Sequence, residues 1–312
     1  MGVTKEKVQV IWREYFPEFE YYRPKTLEEA VKLLDMLKND HAIVLAGATC
    51  LTRKFRGRKL PVKHVIDIKG IKELKGITYV PGEGLRIGPA TTFSEIIKSE
   101  IIREKYTAIW EAAKQYGDFE LRFRATIGGN IAESSPQNDS SPPLLVYNAS
   151  LVLRSVEGTR TVKLEDFFTG VTENILKPNE IIESIIVPEP PEGSKSSYLK
   201  FKRSAEDRAV VGIAALVANP WIPEKRIVRL AYASIAKTPV YLSEAEEIFR
   251  RNKDINELIE EAIEATYRRV EWPIGHGKRG QDLRSSKEYR MHLIRIGTKA
   301  ILKKLIEGVE VF

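Results

Sequence analysis

Cysteine is almost missing from this chain: Cys50 is the only one in 312 residues. One thiol excludes an internal disulfide, a zinc knuckle and an iron–sulfur cluster held by this chain alone. Histidine is scarce too. His41, His64, His276 and His292 stand far apart, with no spacing that makes a metal pair and no arguable Ser–His–Asp arrangement. No apolar stretch reaches the roughly 18 residues of a membrane span. The first residues, Met1 to Lys7, lack the apolar core of a signal peptide, so the cytoplasm is the expected compartment. Glutamine occurs only at Gln9, Gln115, Gln137 and Gln281, whereas Lys, Arg, Glu and Ile abound. That bias fits a heat-adapted protein.

The composition, 43% hydrophobic and 30% charged, is that of a globular protein of two or three domains. The net charge of +7 arises from basic residues interleaved with acids, and no basic run is studded with aromatics. A solvated, charge-rich surface is therefore expected rather than a nucleic-acid footprint.

Two glycine-bearing loops carry most of the information. The first is Ala46-Gly47-Ala48-Thr49-Cys50-Leu51-Thr52 and the second is Thr126-Ile127-Gly128-Gly129-Asn130. Neither contains a lysine, so neither is built like a nucleotide-hydrolysing phosphate loop. Small residues let backbone N–H groups approach an anion closely. Two such loops suggest a diphosphate held from both sides, although the first also reads as an ordinary strand-to-helix connection.

Their surroundings alternate. Val8, Ile11, Trp12 and Tyr15 have helical spacing, which predicts a short helical extension before Tyr21. Thr26 and Glu29 form a capping box for a helix through Leu37. Strands are expected at Ala42–Leu45 and His64–Ile68, giving a small α/β unit. A hairpin follows around Pro81-Gly82-Glu83-Gly84, then a helix capped by Thr92 or Ser94 and another around Ile109 to Tyr116. Strands are read at Leu144 to Leu153, Arg160 to Leu164 and Ile181 to Val187. Pro188-Glu189-Pro190-Pro191 marks the best domain boundary. Beyond it come strands at Tyr198–Phe201, Val210–Val217 and Ile227–Ile235, then helices about Glu257–Arg268 and Tyr289–Ile306.

Two further features need weighing. Asp139, after the polar stretch Glu133 to Asn138, either accepts hydrogen bonds from a ribose or adenine or caps the next turn; local sequence favours the cap. Gly275-His276-Gly277-Lys278-Arg279-Gly280 has the spacing of a dinucleotide fingerprint, but no strand precedes it and no apolar helix follows, so it reads as a basic loop.

Taken together, these residues resemble the FAD-binding medium subunits of the molybdenum hydroxylases, the group of carbon monoxide, aldehyde and aryl-substrate dehydrogenases related to xanthine oxidoreductase. The similarity runs from about Tyr21 to the C-terminus. It rests on Thr126 to Asn130 followed by Asp139, on Ala46 to Thr52, on Tyr198-Leu199-Lys200 with Ala209 to Ala214, and on Asp282 to Arg290. Ala48 and Cys50 depart from the glycine and aspartate usual there.

The resemblance implies an α+β fold. A PCMH-type, vanillyl-alcohol-oxidase-like FAD-binding domain at 21–190, made of α/β subdomains at about 21–75 and 76–190, would follow an extension at 1–20. A C-terminal domain at 191–312, with a three-stranded antiparallel sheet and helices, would complete it. The cofactor would sit on Ala46, Gly47, Ala48, Thr49, Cys50, Leu51 and Thr52 from one side. Thr126, Ile127, Gly128, Gly129 and Asn130 would hold it from the other, with backbone donors of both loops on the diphosphate. Asp139 would bind the adenosine end, Ile182 would pack near a ring and Lys200 would approach the flavin. Tyr198 would cover the isoalloxazine or serve plain sheet packing.

The implied role is a relay. A large partner with a molybdenum-pterin cofactor oxidises the substrate, a small partner with [2Fe–2S] clusters passes electrons on, and this chain hands them to an external acceptor from FAD. The assembly would be a dimer of heterotrimers. No catalytic acid, base, nucleophile or metal ligand is assigned here. The alternatives are a free-standing FAD-dependent oxidoreductase of the same fold and a scaffold that has lost flavin.

Overall fold

The computed structural model describes residues 5–7, 17–56, 60–271 and 285–309. Its first unit is a small sheet in the order β1 (Lys5–Lys7), β2 (Glu20–Tyr22), β4 (His64–Asp67), β3 (Ala42–Leu45). Strands β2 and β3 both run parallel to β4. The extension is not helical where it is described: β1 pairs antiparallel with β2, Lys5 opposite Tyr22. An edge strand leaves a row of unpaired N–H and C=O groups, and pairing is how this edge satisfies them. Val8, Ile11, Trp12 and Tyr15 lie outside the described residues.

Helix α1 (Leu27–Leu37) buries Ala30, Val31 and Leu34 against Ile66 and Ile68 of this unit. Burying a side chain of the size of Val31 or Leu34 is worth roughly 1.5–3 kcal/mol. Thr26 caps the helix as expected, accepting from the Glu29 N–H at 3.2 Å. The return bond differs: the Glu29 carboxylate accepts from the Lys25 N–H at 2.8 Å, one residue earlier than in a standard box. Strand β3 delivers the chain to the first loop, and α2 (Thr49–Arg56) starts directly after it.

The second unit is an antiparallel sheet in the order β5 (Ile77–Val80), β6 (Gly84–Ile87), β11 (Ile181–Pro188), β7 (Ser150–Ser155), β8 (Gly158–Lys163). Short helices cover it: α3 (Phe93–Lys98), α4 (Glu100–Lys105), α5 (Thr107–Gln115), α6 (Phe119–Arg124), α7 (Ile127–Ala132) and α8 (Ser141–Val146). Thr92 rather than Ser94 caps α3, with a complete capping box to Glu95. A two-stranded ribbon, β9 (Phe168–Gly170) with β10 (Glu173–Asn174), lies beside them.

The strand read at Leu144 to Leu153 is a helix followed by a strand. Pro142 and Pro143 sit in the first turn of α8, where the missing N–H groups cost nothing and the fixed φ is already helical. The second loop also differs from expectation, because Thr126 is the N-cap of α7 and Ile127 to Asn130 form its opening turn.

The C-terminal sheet runs β12 (Lys195–Phe201), β13 (Val211–Ala218), β14 (Ile227–Ala233), β15 (Val240–Tyr241), all antiparallel. The three expected strands are joined by a two-residue fourth. Behind them stand α9 (Ala245–Phe249), α10 (Ile255–Arg268) and α11 (Lys287–Glu307). Every residue of β13 is buried. Successive side chains alternate between faces: Ile213, Ala215 and Val217 join the core under α10 and α11, whereas Ala214 and Leu216 join the core of the second unit. A strand covered on both faces reads as one apolar run, which is the pattern of this segment. Arg290, fully buried on α11, donates to the Val210 and Ser234 carbonyls and ties the helix to the sheet. Residues 272–284, with the basic loop and the start of the Asp282 to Arg290 landmark, lie outside the described residues.

Candidate functional site

Where the first loop meets the second unit, the chain passes too close for a side chain. A Cβ on Gly47 would stand 2.2 Å from the Arg124 carbonyl oxygen, so this glycine is required by contact with the chain entering the second loop. Ala48 then turns at φ +61°. Its carbonyl accepts the first bond of α2, from the Thr52 N–H at 2.9 Å, and also the Thr52 hydroxyl at 2.8 Å. Ala48 is thus a cap without a side-chain acceptor. Among the described residues the N–H groups from Gly47 to Leu51 meet no protein acceptor. Helix α2 also has no acidic residue in its first turn. Such a helix start is a seat for an anion.

The second loop is not a mirror image of the first. The Ile127 N–H donates to the Thr91 carbonyl at 3.0 Å, the Gly128 N–H to the Pro89 carbonyl at 2.9 Å, and the Gly129 N–H to the Thr126 hydroxyl at 3.2 Å. The donors expected to grip a diphosphate already have acceptors. The reason is steric: a Cβ on Gly128 would meet the Pro89 Cβ at 2.3 Å, so the glycine permits this packing.

Between the loops lies a cavity of about 300 Å³, within the usual range for a bound cofactor. Ala46, Gly47, Ala48, Thr49, Cys50 and Leu51 line one side, and Thr126, Gly128, Gly129 and Asn130 the other. Ile182 closes the apolar end with Ile43, Val44, Ile68, Leu176 and Ile181. A second cavity, about 240 Å³, continues toward the C-terminal sheet, where Asp139, Lys200 and Arg208 line it. Thr49, Cys50, Tyr116, Asn130 and Glu133 belong to both walls and mark the junction. Thr52, Ile127 and Tyr198 lie on neither wall.

Asp139 and Lys200 meet, at 2.8 Å, with both side chains almost completely buried, so they do not stand at opposite ends of a ligand. The Tyr198 hydroxyl donates to the other Asp139 oxygen at 2.9 Å, and Lys200 also reaches the Gln115 carbonyl at 3.2 Å. Burial pushes the Asp139 carboxyl up, against the pull of Lys200 and Tyr198. The neighbouring cap is made by Asn138, whose side-chain oxygen accepts from the Ser140 and Ser141 N–H groups. Tyr198 packs over Gly212, where a Cβ would stand 2.6 Å from its hydroxyl.

Three wall residues carry no local motif. Tyr116 stacks on Phe93 with centroids 3.9 Å apart and rings 9° from parallel, and burial raises its hydroxyl pKa. Lys54 pairs with Glu133 at 2.8 Å. Arg208 reaches Ser135 at 3.3 Å. Cys50 is half-buried, and burial holds its thiol above the usual range. No group of His, Cys, Asp and Glu among the described residues can hold a metal ion, and no described helix is long and apolar enough to cross a membrane.

Open helix N–H groups beside a partly apolar cleft shared by three units have the features of a site for a phosphate-bearing cofactor. Comparison with known proteins gives the particular class. Residues 17–190 match the FAD binding domain in molybdopterin dehydrogenase, and residues 196–305 match the CO dehydrogenase flavoprotein C-terminal domain. The putative xanthine dehydrogenase FAD-binding subunit of Escherichia coli K12 is 33% identical over 290 residues, covering 92% of this chain and 95% of that one. The carbon monoxide dehydrogenase medium chain of Hydrogenophaga pseudoflava is 33% identical over 276 residues, covering 88% and 92%. A solved structure of carbon monoxide dehydrogenase from that organism superposes with a TM-score of 0.85 at 31% identity, over 93% of this chain and 98% of that one. This chain belongs to the family of FAD-binding medium subunits of the molybdenum hydroxylases. It is the FAD-containing subunit of an oxidoreductase, and the donors at α2 fit that cofactor's diphosphate.

Proposed function

We propose that this chain is the electron-transfer subunit of a heteromeric molybdenum hydroxylase of the CO or aldehyde dehydrogenase type. It takes electrons from [2Fe–2S] clusters of a small partner and passes them to an external acceptor, while a large molybdenum-cofactor subunit oxidises the substrate. The observation that carries this reading is the run of open N–H groups from Gly47 to Leu51, lining a cavity of about 300 Å³ inside this family's fold. FAD supplies the redox chemistry when bound, taking up electrons singly or in pairs.

The residues of this chain bind and orient. The start of α2 takes the diphosphate, with Thr126, Gly128, Gly129 and Asn130 as the opposite wall. The apolar end around Ile182 takes one ring system. Tyr116, braced by Phe93, and the buried Asp139–Lys200 pair border the space for the other. Thr52, Ile127 and Tyr198 act behind the wall by holding Ala48, the second loop and Asp139. No proton-transfer role falls to any of them. Relatives named as single chains of larger dehydrogenases support a multi-chain assembly, the scarcity of glutamine supports heat adaptation, and a cytoplasmic dimer of heterotrimers is the form inferred for the complex.

The purified chain should be yellow, with flavin absorbance released by denaturation. A well-folded, colourless chain that refuses added FAD would sink the proposal. Native mass spectrometry of the complex should show the two partners, whereas substrate turnover by this chain alone would point to a free-standing enzyme.

A further inference from the structure

The N–H groups at the start of α2 can hydrogen-bond a diphosphate but leave most of its charge unbalanced. One helix end offers the equivalent of roughly half a positive charge, and each of the two phosphates carries a negative one. The second loop adds nothing from its backbone, because the N–H groups of Ile127, Gly128 and Gly129 are spent on Thr91, Pro89 and Thr126. Cationic side chains on the wall are the source of further charge that this chain itself supplies.

Two lysines line the larger cavity, Lys54 and Lys177. Lys177 is exposed, next to Pro178 and toward the end closed by Ile181 and Ile182. Lys54 is four residues beyond Cys50 on α2, so both lie on one helix face. Helical side chains lean toward the N-terminus, and a lysine spans about one turn, 5.4 Å. Lys54 can therefore reach back over the opening turn of its own helix. At present it is held by Glu133, with Nζ and Oε2 2.8 Å apart and the two side chains 28% and 10% exposed. Glu133 follows α7 in the second unit and borders both cavities, so the pair crosses the groove at its junction. A carboxylate at that place opposes an incoming anion unless a cation accompanies it.

We propose that Lys54 is the cationic partner of the cofactor's diphosphate and that Glu133 competes for it, so that this ion pair sets how tightly the chain holds its dinucleotide. The inference rests on the placement of FAD proposed above. It separates Lys54, which favours binding, from Glu133, which opposes it although it touches the same site.

The test is a titration of the flavin-stripped full chain with FAD, following flavin fluorescence, for the native protein and for Lys54→Met, Glu133→Gln, Lys177→Met and the Lys54→Met/Glu133→Gln double variant. Loss of one charge-assisted contact should weaken FAD binding on the order of tenfold in Lys54→Met. Glu133→Gln should bind several-fold tighter than native. The double variant should bind better than Lys54→Met alone, and Lys177→Met should weaken binding less than Lys54→Met does. Salt should weaken binding less steeply in Lys54→Met. Melting each variant without FAD separates binding from folding, and Glu133→Gln keeps the test decisive even where Lys54→Met unfolds. Glu133→Gln binding FAD no better than native, or a loss in Lys177→Met as large as that in Lys54→Met, overturns the inference. A native chain that takes up no FAD would instead remove the function proposed above.

Discussion

Ala48 turns the chain at φ +61°, in the left-handed region that an L-residue with a Cβ enters at a cost of roughly 1–2 kcal/mol. It does so because its carbonyl must start α2 while Gly47 lies against Arg124. Ala48→Gly should relieve that strain and, after the added chain entropy of glycine, raise stability by roughly 0.5–1 kcal/mol. A calorimetric melting temperature at or below native would refute this. The Asp139–Lys200 pair argues in the opposite direction. Removing one partner of a buried pair leaves the other charge stranded, so Lys200→Met should cost about 3–5 kcal/mol in urea unfolding. Adding Asp139→Asn should recover part of that loss. Additive losses in the two substitutions would mean that each residue acts alone.

At the scale of elements, the wall of the groove carries charged side chains among its apolar ones. Glu180, at the entry to β11, accepts from Arg160 of β8 through both carboxylate oxygens, at 2.7 and 2.8 Å, and Arg160 also reaches the Ile175 carbonyl. The guanidinium holds the Glu180 carboxyl below its ordinary range. A carboxyl whose folded pKa is depressed contributes stability above its unfolded pKa, near 4.3, and loses it as pH falls through the folded value. Arg160→Met should therefore be less stable than native at pH 7 by roughly 1–3 kcal/mol. The gap should narrow as pH drops below about 4; a gap constant from pH 7 to 3 in denaturant titrations would show that the contribution is packing alone. The same scale explains the misread elements. A proline pair favours a helix start only when the chain before it supplies a cap, and Asn138 does so through contacts invisible in the pattern of Leu144 to Leu153.

At the scale of the molecule, three units share the groove, and the C-terminal sheet shares its inner core with the second unit. Glu111 of α5 fastens that junction, accepting from the Ser197 hydroxyl at 2.7 Å and the Tyr198 N–H at 2.6 Å. A dinucleotide bound across all three units should raise their stability together. At FAD one hundred times its Kd, linkage gives about 2.7 kcal/mol, seen as a single melting transition moving upward. A shift confined to one of two separate transitions would place the ligand in one unit only.

Much of this was legible in the chain itself. The alternation of elements and the two glycine loops are local properties, written in periodicity, turn residues and caps. Tyr198 and Lys200, two residues apart on β12, share one face of that strand. What that face meets was not legible, since Asp139 lies 61 residues from Lys200 and only the packing of α5, α8 and β12 brings them to 2.8 Å. The use of the second loop's donors was hidden for the same reason: Pro89 and Thr91 reach Gly128 and Ile127 across a distance in sequence that no motif spans. The sequence by itself determined which segments could hold an anion, because small residues and open helix starts are local. Only the tertiary structure decided which N–H groups remain free to do so, because each long-range acceptor removes a donor from the site.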